Sequence, residues 1–329
     1  MGSTQAGCES EDEWIVADIG GTYARFARWR ATAGLDAFAR YRNDDFTDLA
    51  SLIDRYRRDA APAARCALLA LALPIGRGEL RMTNRDWTFS ADALRSALGL
   101  ARVQLVNDFV AAAAGVGGLA AHERVRIGGS EPSRGTTLAV GPGTGLGAAA
   151  IVYVDGREHV IASEAGHMSA APTGALARAA YERARARFGR VSWERLLCGE
   201  GLALFDAAAR GADEARAPAA VAAAAHAGEE TALRAANAFS QALGEFAGDL
   251  ALAFTATGGV HLTGGVLSGL GDALDAAALR AGFEDKGRFA AMLREVPCFR
   301  VHAGDLALRG LARLLAGAVT APVVEADRD

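Results

Sequence analysis

The distribution of apolar residues along the chain predicts a succession of buried strands and helices. The largely apolar segments at residues 14–19, 66–73 and 103–107 are typical of buried strands, and Pro74 ends the second of them. Ser90 is expected to cap a helix. The remaining pattern predicts helices around 47–60, 91–99, 174–258, 269–293 and 304–317, and strands at 261–266 and 298–303. Strands and helices in this order indicate the α/β class with mixed sheets.

Two glycine-rich turns each lie between a pair of apolar segments. The first, Gly20-Gly21-Thr22, separates WIVADI from YARFARWR, and the second, residues 141–147, separates TTLAV from AAAIVYV. Both patterns predict β-hairpins. Because the second repeats the first further along the chain, the pattern hints at a duplicated α/β unit. The alanine-rich stretch 207–229 fits either a helix or a flexible segment.

Such turns can place backbone N–H groups around an anion, because glycine lets the backbone approach phosphate oxygens closely. Thr22 and Thr144 could each add a hydroxyl donor. Asp18 ends a buried strand, a costly position for a carboxylate unless it has a role, and holding Mg²⁺ near phosphates would be one. Ordinary hairpin turns are the alternative interpretation. A dinucleotide-binding fingerprint at 143–148 is rejected, because that motif must open a helix and a strand follows here.

The lysine content excludes two common phosphotransferase classes. The chain has 329 residues, of which 35 are Lys or Arg, but Lys286 is its one lysine and does not follow a glycine-rich loop. A Walker A loop requires a lysine that reaches the β- and γ-phosphates, and a protein kinase requires its own strand lysine. Neither class fits this sequence.

Composition and charge argue against several further classes of protein. With 51% hydrophobic and 22% charged residues the chain can form a sizeable core, and its net charge of −4 without a basic stripe predicts no nucleic-acid partner. No apolar run is long enough for a membrane span, and the polar, acidic start is not typical of a secretory signal. The four cysteines, Cys8, Cys66, Cys198 and Cys298, are widely spaced, which argues against zinc and for a reducing compartment.

Asn107 and Asp108 directly follow the predicted strand at 103–107 and therefore lie at its carboxyl end, the edge where open α/β sheets bind ligands. A carboxylate within hydrogen-bond reach of a sugar hydroxyl can act as a general base, and we assign that role to Asp108. The Asn107 amide can both donate to and accept from a hydroxyl. The alternative is that both residues only cap the following helix.

Glu164 and His167 are three residues apart and flank a tight Ala-Gly turn, so that both could bind neighbouring hydroxyls. A solvated loop or a partial metal site would have the same pattern. Glu194, in Ser-Trp-Glu, fits the first-turn acid of a helix.

Eight segments together resemble the bacterial glucokinase family, within the hexokinase–actin–Hsp70 superfamily. They occur in family order across nearly the whole chain: ADIGGTYARFA (17–27), LPIGRGELRMTNRDWTFS (73–90), LVNDFVA (105–111), VGPGTGLGAA (140–149), EAGH (164–167), SWERLLCGEGL (192–202), HLTGGV (261–266) and FEDKGRF (283–289). The cysteine-rich zinc motif of the related repressor–kinase branch is absent from the sequence.

The resemblance implies a two-domain actin-like ATPase fold (ribonuclease H-like), with mixed sheets and an ATP cleft between the domains. We expect a small α/β domain at 13–118, completed by about 303–320, a large α/β domain at 119–302, and a disordered tail at 1–12. The implied activity is ATP-dependent phosphorylation of D-glucose to glucose 6-phosphate, the first step of glycolysis, with ATP and Mg²⁺. A cytoplasmic homodimer is expected, with no nucleic-acid or membrane partner.

The resemblance also assigns residues to the two ligands. The phosphates would be held by Asp18, Gly20, Gly21 and Thr22, with their neighbours Ala17 and Ile19, and by Gly143, Thr144 and Gly145, while Gly264 and Gly265 would lie by the adenosine. The sugar would be bound by Asn107, Asp108, Glu164, His167 and Glu194.

The sequence departs from the family pattern at EAGHMSA, in LCGEGL and in the last helix region, GDLALRGLA. These departures affect fine specificity and stability more than the chemistry. Two other functions fit the same residues: a kinase for another hexose, such as mannose or an amino sugar, and a non-catalytic sugar-sensing ATPase relative. Asp108 argues against a sensor, because binding alone needs no base.

Overall fold

The structure is a computed structural model that describes residues 12–76, 78–82 and 85–326. The predicted disordered tail at 1–12 lies outside the described residues except for Asp12. The chain forms two compact units, one comprising Met1–Gly118, Val154–Ala162 and Gly304–Asp329, and the other Leu119–Tyr153 and Ser163–Ala303.

The secondary structure alternates between strands and helices. The strands are β1 (Trp14–Ile19), β2 (Tyr23–Arg30), β3 (Gly34–Arg42), β4 (Cys66–Leu71), β5 (Leu80–Arg81), β6 (Thr88–Phe89), β7 (Arg102–Asn107), β8 (Arg124–Gly128), β9 (Thr137–Pro142), β10 (Leu146–Val154), β11 (Arg157–Ser163), β12 (Gly259–Leu262), β13 (Cys298–Val301), β14 (Val319–Thr320) and β15 (Val324–Glu325). The helices are α1 (Leu49–Ala60), α2 (Ala91–Leu98), α3 (Asp108–Val116), α4 (Ala175–Phe188), α5 (Trp193–Leu196), α6 (Gly199–Arg210), α7 (Pro218–His226), α8 (Glu230–Ala253), α9 (Gly265–Leu270), α10 (Ala276–Glu284), α11 (Ala290–Glu295) and α12 (Leu306–Leu315).

The first unit contains a mixed sheet with the strand order β15-β7-β4-β1-β2-β3. Strand β1 pairs antiparallel with β2 and parallel with β4, and β4 pairs parallel with β7. One face carries an aromatic core in which Phe26 stacks on Tyr56 of α1, with ring centroids 4.8 Å apart. Helices α3 and α12 pack closely together, since a Cβ at Gly310 would lie 1.8 Å from the Ala111 carbonyl oxygen.

The second unit contains a mixed sheet in which β10, β9, β12, β13 and β8 are neighbours in that order. Strand β9 pairs antiparallel with β10 and parallel with β12, and β12 pairs parallel with β13. This repeats the β2-β1-β4-β7 arrangement of the first unit and agrees with the expected duplication. Helix α8 packs here against α6 and α10, and Phe205 contacts Phe239 edge-on.

Both predicted hairpins and the mixed α/β class are confirmed, as is Ser90 as a helix cap, because its side chain accepts the Ala93 N–H at 3.0 Å. The strand predicted at 261–266 is wrong at its end: β12 stops at Leu262 and α9 begins at Gly265. Gly264 adopts a φ of +109°, a conformation that leaves the extended strand geometry.

The alanine-rich stretch 207–229 contains the end of α6, a connection and helix α7. Arg216 anchors the connection, because its guanidinium pairs with the fully buried Asp206 and also with Glu229 at 2.8 Å. A charged pair at a buried position needs such a complete set of partners. The stretch is therefore built into the second unit.

Two of the cysteines and the apolar helices can be compared with the sequence predictions. Cys198 and Cys298 are free and buried. None of the helices in the described part of the chain is long and apolar enough to cross a membrane.

Candidate functional site

The first unit brings two predicted ligand segments to one sheet edge. In the parallel strands β1, β4 and β7, Ile19 is in register with Leu71, and Leu71 with Asn107. The turn at 20–22 and the pair Asn107-Asp108 therefore both follow the carboxyl ends of strands in the same sheet. Neighbouring strands are about 4.8 Å apart, so the two segments lie about 10 Å apart along the edge. This is where open α/β sheets bind ligands.

Asp18 lies in β1 beside its cross-strand partner Arg25, whose Nη1 is 3.1 Å from Asp18 Oδ2. Burial raises the pKa of Asp18 above the ordinary range, and the Arg25 charge partly offsets this. A buried carboxylate favours a nearby cation. The flanking Ala17 and Ile19 have fully buried side chains, so that they pack in the core.

The donor set around Asp18 fits one type of metal site. No group of three or more His, Cys, Asp or Glu residues that could hold a metal occurs within residues 12–76, 78–82 and 85–326. Mg²⁺ commonly uses one or two carboxylates together with substrate phosphates and water. A single carboxylate beside a glycine turn therefore fits a Mg²⁺ ion that the nucleotide mainly holds.

Asn107 is the N-cap of α3, as the alternative interpretation supposed. Its Oδ1 accepts the N–H groups of Phe109 at 2.9 Å and Val110 at 3.2 Å, and its Nδ2 donates to the Leu73 carbonyl at 3.2 Å. These bonds fix the amide and leave one Nδ2–H for a ligand. Asp108 is the first residue of α3, half-buried, and its Oδ1 accepts the Phe109 N–H at 2.9 Å.

The second unit brings three predicted sugar ligands together. His167 Nε2 lies 3.9 Å from Glu164 Oε2, and His167 Nδ1 lies 3.8 Å from Glu194 Oε1. The side chains of Glu164 and His167 are more than half exposed, whereas that of Glu194 is 27% exposed. The three groups therefore form a polar cluster, accessible within their unit, that can both donate to and accept from hydroxyls.

Long-range backbone pairing produces this cluster. The segment after His167 forms an antiparallel bridge between Ser169 and Ser192, and Trp193 donates its N–H to the Met168 carbonyl at 3.0 Å. The buried Trp193 side chain anchors α5, and Glu194 follows it in the first turn, as the sequence predicted.

Glu194 also reaches the second glycine turn. Its Oε2 accepts the Leu146 N–H at 3.2 Å, and a Cβ on Gly145 would lie 2.5 Å from that same oxygen. Real Cβ atoms essentially never come so close, so a side chain at Gly145 would displace the Glu194 carboxylate. The Glu194 carboxylate thus contacts both a predicted sugar ligand, His167, and the turn predicted to bind phosphate.

The rest of this turn is fixed from within the second unit. Gly143 donates its N–H to the Gly145 carbonyl at 2.7 Å and accepts the Gly199 N–H at 3.0 Å. The N–H of Thr144 belongs to the same peptide plane as the Gly143 carbonyl and therefore points away from α6. Gly264 lies beside the turn, because a Cβ there would be 2.4 Å from the Pro142 carbonyl oxygen, and Gly265 opens α9.

Two residues near the first turn were not singled out from the sequence. Asn43 is fully buried, and its Nδ2 donates to the Gly20 carbonyl at 2.8 Å. Arg85 donates to the Gly21 carbonyl at 3.1 Å. Arg85 lies in the segment 73–90, which contributes to the family resemblance, but nothing in the sequence indicated a role for it. Asn43 follows strand β3 and belongs to no recognisable motif.

Comparison with known proteins identifies the family. The family model described as glucokinase matches residues 15–318, a range that includes all predicted site residues. The chain belongs to the glucokinase family. It is 38% identical over 309 residues to a glucokinase of Chromobacterium violaceum, covering 92% of this chain and 89% of that protein.

Longer relatives and a crystal structure agree with this membership. The chain is 36% identical over 318 residues to a "bifunctional protein glk" of Burkholderia lata, covering 94% of this chain and 50% of the relative. It therefore spans about half the length of such bifunctional relatives. The crystal structure of a glucokinase from an Antarctic psychrotroph superposes with a TM-score of 0.77 at 32% identity, covering 93% of this chain and 99% of the other. The predicted actin-like kinase fold is confirmed.

Proposed function

We propose that the protein is a glucokinase, which transfers the γ-phosphate of ATP to the 6-hydroxyl of D-glucose in the first step of glycolysis. The observation that carries the proposal is the position of Glu194, which approaches His167 with one carboxylate oxygen and the Leu146 N–H with the other. Glu194 thereby connects the residues proposed to bind the sugar with the turn proposed to bind phosphate. The names of the Chromobacterium and Antarctic relatives support glucose as the acceptor.

Asp108 is the proposed general base. The glucose 6-hydroxyl transfers its proton to the Asp108 carboxylate, O6 forms a bond to the γ-phosphorus, and the bond to the β–γ bridging oxygen breaks. The bridging oxygen leaves with the electron pair on ADP. A positioned base contributes roughly 10²–10⁴-fold to such a step. The Phe109 N–H on Asp108 Oδ1 orients the carboxylate.

Sugar recognition is assigned to the remaining polar groups. The carboxylates of Glu164 and Glu194 accept hydroxyl protons, and His167 can donate to or accept from a hydroxyl. The Asn107 amide has one N–H left for the sugar. A site built from such groups discriminates against analogues that lack a hydroxyl, because a polar group covered by the bound analogue would then be unpaired.

The two glycine turns are assigned to the phosphates of ATP, with the hydroxyls of Thr22 and Thr144 as further donors, and Gly264 and Gly265 to the adenosine. Mg²⁺, when bound, would neutralise phosphate charge, and Asp18 is the residue that would hold it.

We place the protein in the cytoplasm because its proposed donor, ATP, is available there. The homodimer expected from the resemblance stays a prediction, which equilibrium sedimentation would test.

A coupled assay with a panel of hexoses and donors tests this function. Wild-type protein with ATP and Mg²⁺ should form glucose 6-phosphate, and kcat/KM for glucose should exceed that for mannose and glucosamine. Replacing ATP by polyphosphate should abolish the reaction. A higher kcat/KM for another hexose would assign that sugar instead, and ATP hydrolysis without any sugar phosphate would favour a sensing ATPase.

A further inference from the structure

Three consecutive carbonyl groups of the first glycine turn are bound from one side. Asn43 Nδ2 donates to the Gly20 carbonyl at 2.8 Å and to the Gly21 carbonyl at 3.3 Å, and the Asn43 backbone N–H donates to the Thr22 carbonyl at 3.0 Å. Arg85 Nη2 adds a second donor to the Gly21 carbonyl at 3.1 Å. The orientation of three successive peptide planes is thereby fixed, two of which carry the N–H groups of Gly21 and Thr22.

That orientation decides where the N–H groups point. In a trans peptide the carbonyl of one residue and the N–H of the next point in opposite directions. With the carbonyls of Gly20 and Gly21 directed at Asn43 and Arg85, the N–H groups of Gly21 and Thr22 are directed away from them. Among the described residues none accepts either N–H, whereas the Gly20 N–H donates to the Tyr23 carbonyl at 3.1 Å. Two neighbouring donors are thus presented to an anion.

Asn43 is suited to this task because it cannot easily move. Its side chain is fully buried at the end of β3, and its backbone and side chain both bind the turn. A shorter apolar residue would leave the Gly20 carbonyl without its donor. The peptide could then rotate and turn the Gly21 N–H away from the anion.

Arg85 is held in place from two further directions. Its guanidinium lies over the Trp87 ring, with the Cζ atom 4.5 Å from the ring centroid, and its Nη2 is 3.0 Å from Asp44 Oδ1. Hydrogen bonds from Arg85 and then Arg42 lower the pKa of Asp44. A charged donor on the Gly21 carbonyl polarises that peptide, which makes the Thr22 N–H a better donor on its other side.

We propose that Asn43 and Arg85 are positioning residues that aim the Gly21 and Thr22 N–H groups at a phosphate group of the nucleotide. The proposal rests on the proposed function, in which this turn binds ATP. Both residues act through the turn carbonyls that they bind, rather than by contacting the nucleotide themselves. Their loss should therefore weaken nucleotide binding without changing glucose binding.

Titration calorimetry with the non-hydrolysable analogue AMPPNP and Mg²⁺ tests this directly. Arg85→Ala and Asn43→Ala should each raise the Kd for AMPPNP by about 10-fold, the loss expected when a hydrogen bond with a charged or buried partner is removed. The Kd for glucose should stay within about twofold of the wild type. Arg85→Gln should restore part of the affinity, because an uncharged amide can still donate to the Gly21 carbonyl.

Arg42→Ala provides the matched control. Arg42 also pairs with Asp44, at 3.0 Å, but it is exposed and makes no hydrogen bond to a turn carbonyl among the described residues. This variant should bind AMPPNP like the wild type. The unfolding temperature of each variant shows whether its fold persists, and Arg85→Ala keeps the test valid if Asn43→Ala does not fold.

The outcomes separate this proposal from the proposed function. If the wild type binds AMPPNP and Arg85→Ala binds it equally well, the positioning role is wrong and the kinase proposal stands. The role is also wrong if Arg42→Ala and Arg85→Ala weaken binding equally, because a general effect of charge would explain both. If the wild type binds no AMPPNP, both proposals fail.

Discussion

Glu194 Oε2 accepts the Leu146 N–H at 3.2 Å, which links the polar cluster of Glu164, His167 and Glu194 to the second glycine turn. The other carboxylate oxygen lies 3.8 Å from His167 Nδ1. A displacement of Glu194 would therefore alter the polar cluster and the turn together. In the proposed kinase, this contact lets the second unit align the acceptor with the phosphates.

Gly145→Ala should mainly weaken glucose binding. The new Cβ would lie 2.5 Å from Glu194 Oε2, so the carboxylate must move away from its position beside His167. We expect KM for glucose to rise about 10-fold or more, the cost of losing one or two hydrogen bonds to a charged group. Steady-state kinetics with each substrate varied would measure this.

Gly143→Ala is the matched comparison in the same turn. A Cβ there would meet no atom closer than the Gly145 carbonyl oxygen at 4.0 Å, so that Glu194 stays in place. The added methyl group should raise KM for ATP rather than KM for glucose, because Gly143 lies in the turn that we propose binds phosphate. Equal effects of both variants on KM for glucose would contradict the assigned role of Glu194.

Glu164→Ala and His167→Ala should each raise KM for glucose. The two side chains lie 3.9 Å apart, and removing either one leaves a sugar hydroxyl without its partner. The expected cost is about 1–3 kcal/mol per group. Intrinsic fluorescence titration with glucose measures the change without turnover. An effect restricted to KM for ATP would show that this loop is wrongly assigned.

Stability should fall as the pH drops below neutrality, because of His261. The ring is 2% exposed, stacks on Phe299 and accepts from Arg124 Nη1 at 2.9 Å. Burial, and then the Arg124 charge, lowers the pKa of His261 from 6.5 to about 3. Between these two values the unfolded chain binds a proton that the folded protein excludes, so acid favours unfolding.

The variant His261→Gln isolates that contribution. Glutamine keeps an acceptor for Arg124 but does not titrate. Thermal unfolding between pH 7 and pH 4 should show a shallower loss of stability in the variant than in the wild type. The same slope in both proteins would mean that His261 is protonated in the folded state.

The sequence predicted the central strands better than the edge strands, for a physical reason. Strands β1, β4 and β9 are buried on both faces and are largely apolar in sequence. Strands β3 and β8 lie at sheet edges and carry arginines at exposed positions, as edge strands do to avoid pairing with other chains. Their mixed pattern contains no clear period, so neither was predicted.

Some residues of the candidate site could likewise be predicted from the sequence, and others could not. Glu164 and His167 are close in the chain, so a local pattern could indicate that they act together. Their approach to Glu194 depends on the Ser169–Ser192 bridge, which no local pattern encodes. Asn43 and Arg85 act through backbone carbonyls, and that role leaves no sequence motif.

The turnover of Asp108→Asn tests the account most directly. Asparagine keeps an oxygen that can accept the Phe109 N–H, so the start of α3 and the glucose Kd should change little. It cannot take the proton of the 6-hydroxyl, so kcat for glucose 6-phosphate formation should fall by roughly 10²-fold or more. A kcat near that of the wild type, with glucose still bound, would contradict Asp108 as the general base.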